Sequence, residues 1–163
     1  MKWENSNTLP QKEVINLYGI VKDTLLILTP FIKNRKNINI NNIDKTKTIV
    51  GYPEPIKIIL YNLIMNAIKY TESGFVLIYA YDTTEKTVVV IEDRGMGMTE
   101  QQIESILNRS FFVDSPNNVQ NGNGFGYRII NGLLKKTGAT MQIKSDKNGG
   151  GTSVSVFFDY EFH

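Results

Sequence analysis

The chain contains the stretch Asn62-Leu-Ile-Met-Asn66-Ala-Ile-Lys69-Tyr70, which sets both its fold and its candidate site. At about 100° per residue, Asn62, Asn66, Lys69 and Tyr70 fall on one arc of a helix. The neighbouring arc is apolar, because leucine, isoleucine and alanine recur every three or four residues. The pattern predicts a helix over 53–71 that buries one side and carries two amides, an ammonium group and an aromatic ring along its rim.

These rim side chains suit a metal-bound polyphosphate. An amide oxygen is a hard ligand of the kind that Mg²⁺ prefers, and a lysine one turn away neutralises phosphate charge. A solvated helix surface without a ligand is the alternative interpretation of the same residues, so other motifs have to decide between the two.

The composition of the chain narrows its class. Its 163 residues, 41% hydrophobic and 21% charged, suffice for one globular domain with a sizeable core. The net charge of +2 and the even spread of lysines argue against nucleic acid as a partner. Cysteine is absent and His163 is the only histidine, which argues against disulfides, thiolate zinc sites and histidine-based catalysis within the chain.

Neither a membrane-spanning run nor a signal-peptide pattern is present in the sequence. We therefore expect a cytoplasmic domain that makes no membrane insertion of its own and is monomeric when isolated. Residues 1–10 are expected to be a polar lead-in, and residues 11–160 are expected to form the domain.

Periodicity along the chain predicts an α+β alternation without repeats. A helix that includes Val14 should end or kink at Pro30, and Thr99 with Gln102 forms a capping box for a short helix. The polar segment 114–124 is expected to be a mobile lid. The predicted helices cover 14–28, 53–71, 100–108 and 126–137, and the predicted strands lie near 37–41, 46–51, 75–81, 87–91, 140–145 and 152–158.

A second motif is Asp93-Arg-Gly95-Met-Gly97, which directly follows an apolar strand. A carboxylate at a strand end is held by rigid structure and accepts a hydrogen bond from an exocyclic amine when it is shielded from water. The two glycines let a flat ring approach the backbone closely. An ordinary strand-to-helix turn is the alternative interpretation.

A third motif is Gly122-Asn-Gly124-Phe-Gly126, which leads into a predicted helix. Repeated glycines expose backbone N–H groups, and the start of a helix adds a partial positive charge, so the pair favours phosphate. The run is neither a Walker loop nor a dinucleotide-binding fingerprint, because both need other residues at fixed spacing.

In this order, the three motifs and the Gly151-Thr152 strand start resemble the ATP-binding domain that sensor histidine kinases share with gyrase, MutL-type repair proteins and large heat-shock chaperones. The wording Asn-Ala-Ile-Lys-Tyr-Thr is most similar to the histidine kinases. The resemblance implies a two-layer α/β sandwich, in which a mixed β-sheet packs against a helical layer and ATP binds beside the Asn62–Tyr70 helix.

The resemblance also implies roles for single residues. Asn66 coordinates Mg²⁺, Lys69 approaches the phosphates, Tyr70 lies along the adenine, and Asp93 accepts a hydrogen bond from the adenine amino group. Thr152 helps to orient that contact. The remaining implied contacts to the nucleotide come from Gly95, Gly97, Phe112, Gly122, Gly124 and Gly126.

The chain departs from the family pattern at several places. Leucine is usual where the chain has Phe125 and Tyr127, and an arginine often follows the phenylalanines where Val113 and Asp114 stand.

Asn62 separates the subfamilies, because hydrolytic members carry a glutamate there that activates water. An amide cannot accept that proton, whereas phosphoryl transfer needs mainly positioning and charge neutralisation. The resemblance therefore implies the catalytic half of a histidine kinase, whose phosphoacceptor histidine lies on a dimerisation domain of the same parent protein. A response regulator acts downstream, and a membrane anchor in the parent is compatible with this arrangement.

Two other functions remain open at this point. One is a degenerate or regulatory nucleotide-binding module without transfer activity, and the other is a serine-specific anti-sigma-type kinase of the same fold.

Overall fold

The computed structural model describes residues 10–33, 36–108, 123–146, 148 and 150–160, with only the backbone described at 108 and over 123–126. Helices and strands alternate through these ranges without a repeat. In chain order they are β1 (Glu13–Asn16), α1 (Leu17–Ile27), α2 (Thr29–Ile32), β2 (Lys36–Asn41), β3 (Thr48–Gly51), α3 (Pro53–Tyr70), β4 (Ser73–Asp82), β5 (Lys86–Asp93), α4 (Glu100–Asn108), α5 (Asn123–Thr137), β6 (Thr140–Asp146) and β7 (Gly151–Asp159).

The main sheet has five strands in the described part of the chain, in the order β2-β4-β5-β7-β6. Strand β2 runs parallel to β4, and every other neighbouring pair is antiparallel. The sheet is therefore mixed, and the long helices α1, α3 and α5 pack together on one side of it. The predicted α+β sandwich of a mixed sheet and a helical layer is confirmed.

Helix α3 supplies the centre of the helical layer. Its two asparagines and its isoleucines each cost at most about 0.7 kcal/mol in helix propensity. Burial of an aliphatic side chain contributes about 1.5–3 kcal/mol, so packing outweighs propensity in this segment. The helix starts at Pro53, as expected, and its buried side chains are Ile56, Ile59, Leu60, Leu63, Ile64, Ala67 and Ile68.

The strands place alternate residues on the helix-facing side of the sheet. On β5 these are Val89, Ile91 and Asp93, and the first two are almost fully buried against the helices. Asp93 continues this alternation at the end of the strand, so its carboxylate points to the same side as the core.

The first predicted helix begins later than the sequence pattern indicated, which corrects the placement of Val14. Residues 13–16 form β1, which pairs with the distant strand β3, so Ile15 is buried and Val14 is exposed. Asn16 then caps α1, because its Oδ1 accepts a hydrogen bond from the Gly19 N–H at 2.7 Å. At the other end α1 stops at Ile27, and Pro30 lies in the first turn of α2.

Two further local predictions concern helix starts. The capping box at α4 is confirmed, because the Gln102 N–H donates to Thr99 Oγ1 at 3.1 Å and the Thr99 N–H donates to Gln102 Oε1 at 2.8 Å. Helix α5 begins at Asn123 rather than near 126, so Gly124 and Gly126 lie in its first turn.

Among the described residues, no helix has the length and apolar character needed to cross a membrane.

Candidate functional site

A cavity opens between the second half of α3 and the adjoining ends of β5 and β7, with α4 and α5 on its flanks. The space between its lining atoms, including the open mouth, is about 670 Å³. Five of the residues singled out from the sequence line it: Asn66, Tyr70, Asp93, Gly97 and Thr152.

Asp93 lies on the floor of the cavity. Its side chain is buried, and burial raises its pKa above the ordinary value for an aspartate, while backbone N–H groups of Gly95 and Thr152 oppose that rise. The Gly95 N–H donates to Asp93 Oδ1 at 2.8 Å. This bond fixes one carboxylate oxygen, so the cavity has a rigid acceptor that is shielded from water.

The turn after β5 needs glycine for two different reasons. A Cβ atom at Gly95 would lie 2.5 Å from the Tyr70 carbonyl oxygen and 2.9 Å from Asp93 Oδ1. Gly97 has a φ of +74°, a backbone conformation that side chains disfavour. The turn therefore runs close against the end of α3 and presents Gly97 to the cavity, whereas Gly95 supports the turn from behind.

Thr152 is the direct cross-strand partner of Asp93, and Ser145 is in turn the partner of Thr152. Ser145 Oγ donates to the Gly151 carbonyl at 2.9 Å, accepts from the Met98 N–H at 2.6 Å, and lies 2.8 Å from Thr152 Oγ1. Because the single Ser145 proton goes to Gly151, the Thr152 hydroxyl is the donor to Ser145. The lone pairs of the Thr152 oxygen can then accept a hydrogen bond beside Asp93.

The Asn66 amide reaches the cavity from α3. Its Nδ2 atom is buried and has no hydrogen-bond partner among the described residues, so the fold does not use up this amide. Tyr127, on α5, is the neighbouring phenol, and its hydroxyl is influenced by the negative charge of Asp93 and by the amide of Asn66. Burial is the main reason that the pKa of Tyr127 is raised, so this phenol stays protonated at physiological pH.

Tyr70 forms the outer wall of the cavity, and burial raises its pKa as well. Lys69 does not line the cavity formed by the described residues; its Nζ lies 5.6 Å from the centre of the Tyr70 ring. Asn62 lies one turn before Asn66 and also stays outside the lining, because its Nδ2 donates to the Ile58 carbonyl at 2.8 Å. These two residues flank the site rather than form its walls.

Several predicted elements fall outside the described residues: Phe112, Gly122 and almost all of the predicted lid over 114–124. Sequence reasoning overlooked Ser145 and did not place Tyr127 in the site. Tyr127 follows Gly126 directly, so its position beside the glycine run was a usable signal. The sequence carries no comparable signal for Ser145, because its position beside Thr152 depends on the register between β6 and β7.

A metal ion at this cavity would have few protein ligands. Among the described residues, no group of three or more histidine, aspartate or glutamate side chains could hold one. The Asn66 amide oxygen can serve as one hard ligand, because Asn66 lines the cavity and its Nδ2 has no partner among the described residues. Mg²⁺ usually keeps several waters and binds through one or two protein oxygens plus substrate phosphates, so this donor set suits Mg²⁺ that arrives with a polyphosphate.

The comparisons with known proteins agree with this geometry. Residues 51–161 match the family model described as Histidine kinase-, DNA gyrase B-, and HSP90-like ATPase. The chain is 29% identical over 155 residues to the histidine protein kinase SaeS of Staphylococcus epidermidis strain RP62A, which covers 92% of this chain and 44% of that protein. The chain therefore spans less than half the length of this relative.

Solved structures show the same fold. The catalytic domain of histidine kinase ThkA, in a nucleotide-free form, gives a TM-score of 0.76 at 20% identity, over 91% of this chain and 95% of that chain. Full-length ShkA in complex with AMPPNP also gives 0.76 at 20% identity, over 93% of this chain and 32% of that chain. At this level of identity the likeness concerns the fold alone.

Proposed function

The chain belongs to the Histidine kinase-, DNA gyrase B-, and HSP90-like ATPase family, and from that premise we propose that it is the ATP-binding catalytic domain of a two-component sensor histidine kinase. In this proposal the domain binds Mg-ATP and donates the γ-phosphoryl group to a histidine on a separate dimerisation domain of its parent protein. A response regulator receives the group afterwards. Such a domain works in the cytoplasm, where ATP is available.

The observation that carries the proposal is the buried carboxylate of Asp93 beside the Thr152 hydroxyl. Adenine offers an exocyclic amine as donor and a ring nitrogen as acceptor. The N–H groups of Gly95 and Thr152 contact the Asp93 carboxylate, whose oxygens still have lone pairs for the adenine amine. Thr152 supports the same edge of the base, directly or through water.

The cavity also has surfaces for the faces of the ring. Apolar side chains of Leu63, Ile106 and Val154 contribute to its lining, and Tyr70 closes its outer side. A flat base removes this apolar surface from water when it binds. Gly97 presents backbone to the ring without a side chain in the way.

The phosphates would extend from the base toward the rim of α3 and the start of α5. Asn66 would hold Mg²⁺ through its amide oxygen, and the bound ion would neutralise charge on the phosphate oxygens. Lys69 would add a positive charge from the last turn of α3. The N–H groups at the very start of α5, including that of Gly124, precede the first hydrogen bond of the helix and suit phosphate oxygens.

The chemistry that remains is phosphoryl transfer. The bond between the γ-phosphorus and the bridging oxygen of ADP breaks, and a bond forms to an imidazole nitrogen of the partner histidine. Transfer of this kind relies on positioning and charge neutralisation. Asn62 supplies no general base, because its side chain is an amide, so water competes poorly with the histidine.

Two measurements test the proposal. Isothermal titration calorimetry on this domain, with and without Mg²⁺, should show ATP binding that Mg²⁺ strengthens. Incubation with γ-labelled ATP and a histidine-bearing dimerisation segment should transfer the label, and a variant of that segment without the histidine is the control. Label that is stable to acid and lies on serine would support the anti-sigma-type kinase, and ATP binding without any transfer would support a regulatory module.

A further inference from the structure

Tyr127 places a phenol in the wall of the cavity at a position where the family resemblance leads us to expect leucine. The residue is only 3% exposed, and its helix α5 packs against α3. A leucine would fill the same space with carbon alone. The extra hydroxyl therefore needs a polar neighbour, because a buried hydroxyl without one is unfavourable.

The Asn66 amide is the neighbour on α3. Asn66 lowers the pKa of Tyr127, against the rise that burial causes. This is the effect of an N–H that points at the phenol oxygen, because such a donor favours the ionised form. Asn66 Nδ2 is buried and has no hydrogen-bond partner among the residues that the structure describes. Asn66 and Tyr127 both line the cavity, so the unused N–H of Asn66 and the phenol oxygen share one space.

The charge of Asp93 decides which end of the Asn66 amide the phenol meets, because an amide N–H can only donate and the phenol oxygen must then accept. Asp93 faces Tyr127 from β5, on a different wall of the cavity from Asn66, and its negative charge raises the pKa of the phenol. The phenol O–H is free to rotate, and the field of the carboxylate draws its proton toward Asp93. The lone pairs of the oxygen are then left for a donor on α3, which is Asn66 Nδ2.

We propose that the Tyr127 hydroxyl accepts a hydrogen bond from Asn66 Nδ2 in the nucleotide complex and so holds Asn66 Oδ1 toward the metal ion. Tyr127 is then a positioning residue that acts through Asn66. Only the oxygen of an amide ligates a cation, and the two ends of an asparagine side chain have nearly the same shape. A fixed acceptor for Nδ2 removes the orientation that could not bind the metal. This inference rests on the proposed binding of Mg-ATP.

The test is a comparison of nucleotide affinity with and without Mg²⁺ in Tyr127→Phe, which deletes one oxygen and leaves the ring. Metal-free ATP affinity should stay within about twofold of wild type, whereas the factor by which Mg²⁺ strengthens binding should fall by about 2- to 10-fold, as expected for one hydrogen bond. Tyr61→Phe is the matched control, because Tyr61 is a partly buried phenol on α3 outside the cavity.

A double-mutant cycle separates a positioning role from a merely structural one. In an Asn66→Ala background, Tyr127→Phe should have no further effect on the Mg²⁺ factor, because the residue it acts through is gone. An equal loss of affinity with and without Mg²⁺ would overturn the proposal and indicate a direct contact between the hydroxyl and the nucleotide. An undiminished effect in the Asn66→Ala background would also overturn it. Failure of the wild-type domain to bind ATP at all would instead refute the proposed function.

Discussion

Replacement of Asp93 by asparagine tests the base-recognition part of the site. The change swaps one carboxylate oxygen for an NH₂ group and removes the charge, with almost no change in volume. The amide oxygen of the new side chain can still accept from the Gly95 N–H, which donates to Asp93 Oδ1 at 2.8 Å in the wild type. The NH₂ group would then face the adenine amine, so two donors would meet where a donor and an acceptor met before.

The size of the effect follows from the type of bond that is lost. A hydrogen bond to a charged group contributes about 1.5–3 kcal/mol, so ATP affinity should fall by roughly 10- to 150-fold. Calorimetric titrations with ATP and with GTP measure this loss and the accompanying loss of adenine selectivity. Glu92→Gln is the control, because Glu92 is the neighbouring acid on β5 and alternation places it on the opposite face of the sheet.

The same substitution should also change how the free energy of unfolding depends on pH. Burial raises the pKa of Asp93 in the folded protein above its unfolded value, so the folded state binds more protons in the window between the two values. The free energy of unfolding therefore falls as pH rises from about 3.8, the ordinary value for aspartate, through the folded pKa. Asp93→Asn should remove this decline and be at least as stable as wild type at pH 7 in urea denaturation.

Equal binding of ATP and GTP by the wild-type domain would refute the assignment of Asp93 as the residue that recognises the base. Unchanged ATP affinity in the Asp93→Asn variant would refute it as well.

Three other substitutions probe separate parts of the site. Asn66→Ala should remove most, but not all, of the Mg²⁺-dependent part of ATP binding and leave the urea midpoint nearly unchanged. Unchanged Mg-ATP affinity would contradict the role of the amide. Asn62→Glu should raise phosphate release at saturating ATP, since general-base catalysis is worth about 10²–10⁴-fold. Asn62→Gln is the control, and brisk hydrolysis by the wild-type domain would contradict the reasoning. Gly95→Ala should lower the free energy of unfolding by about 1–3 kcal/mol, because its Cβ would lie 2.5 Å from the Tyr70 carbonyl oxygen. Gly132→Ala is the control and should not lower the free energy of unfolding, because a Cβ atom there would meet open space.

Local features were readable from the sequence because their determinants lie within a few residues of each other. The capping box of α4 involves residues three apart, and the apolar stripe of α3 repeats within each turn. The antiparallel pair β4–β5 is joined by a short polar turn and follows the same logic. Where a partner is distant, the local pattern misled: Val14 fits a helical period, but β1 pairs with β3 instead.

The sequence by itself determined most of the elements, their order and the chemical types of the candidate ligands, because helical and strand periods and turn residues are short-range properties. Only the tertiary structure decided which of those residues share a cavity. The row Asp93, Thr152 and Ser145 exists because β5, β7 and β6 are adjacent in one register. Tyr127 reaches the site because α5 packs on α3, and Asn62 turns its amide back to its own helix. Such placements depend on contacts between segments far apart in the chain, which no local pattern encodes.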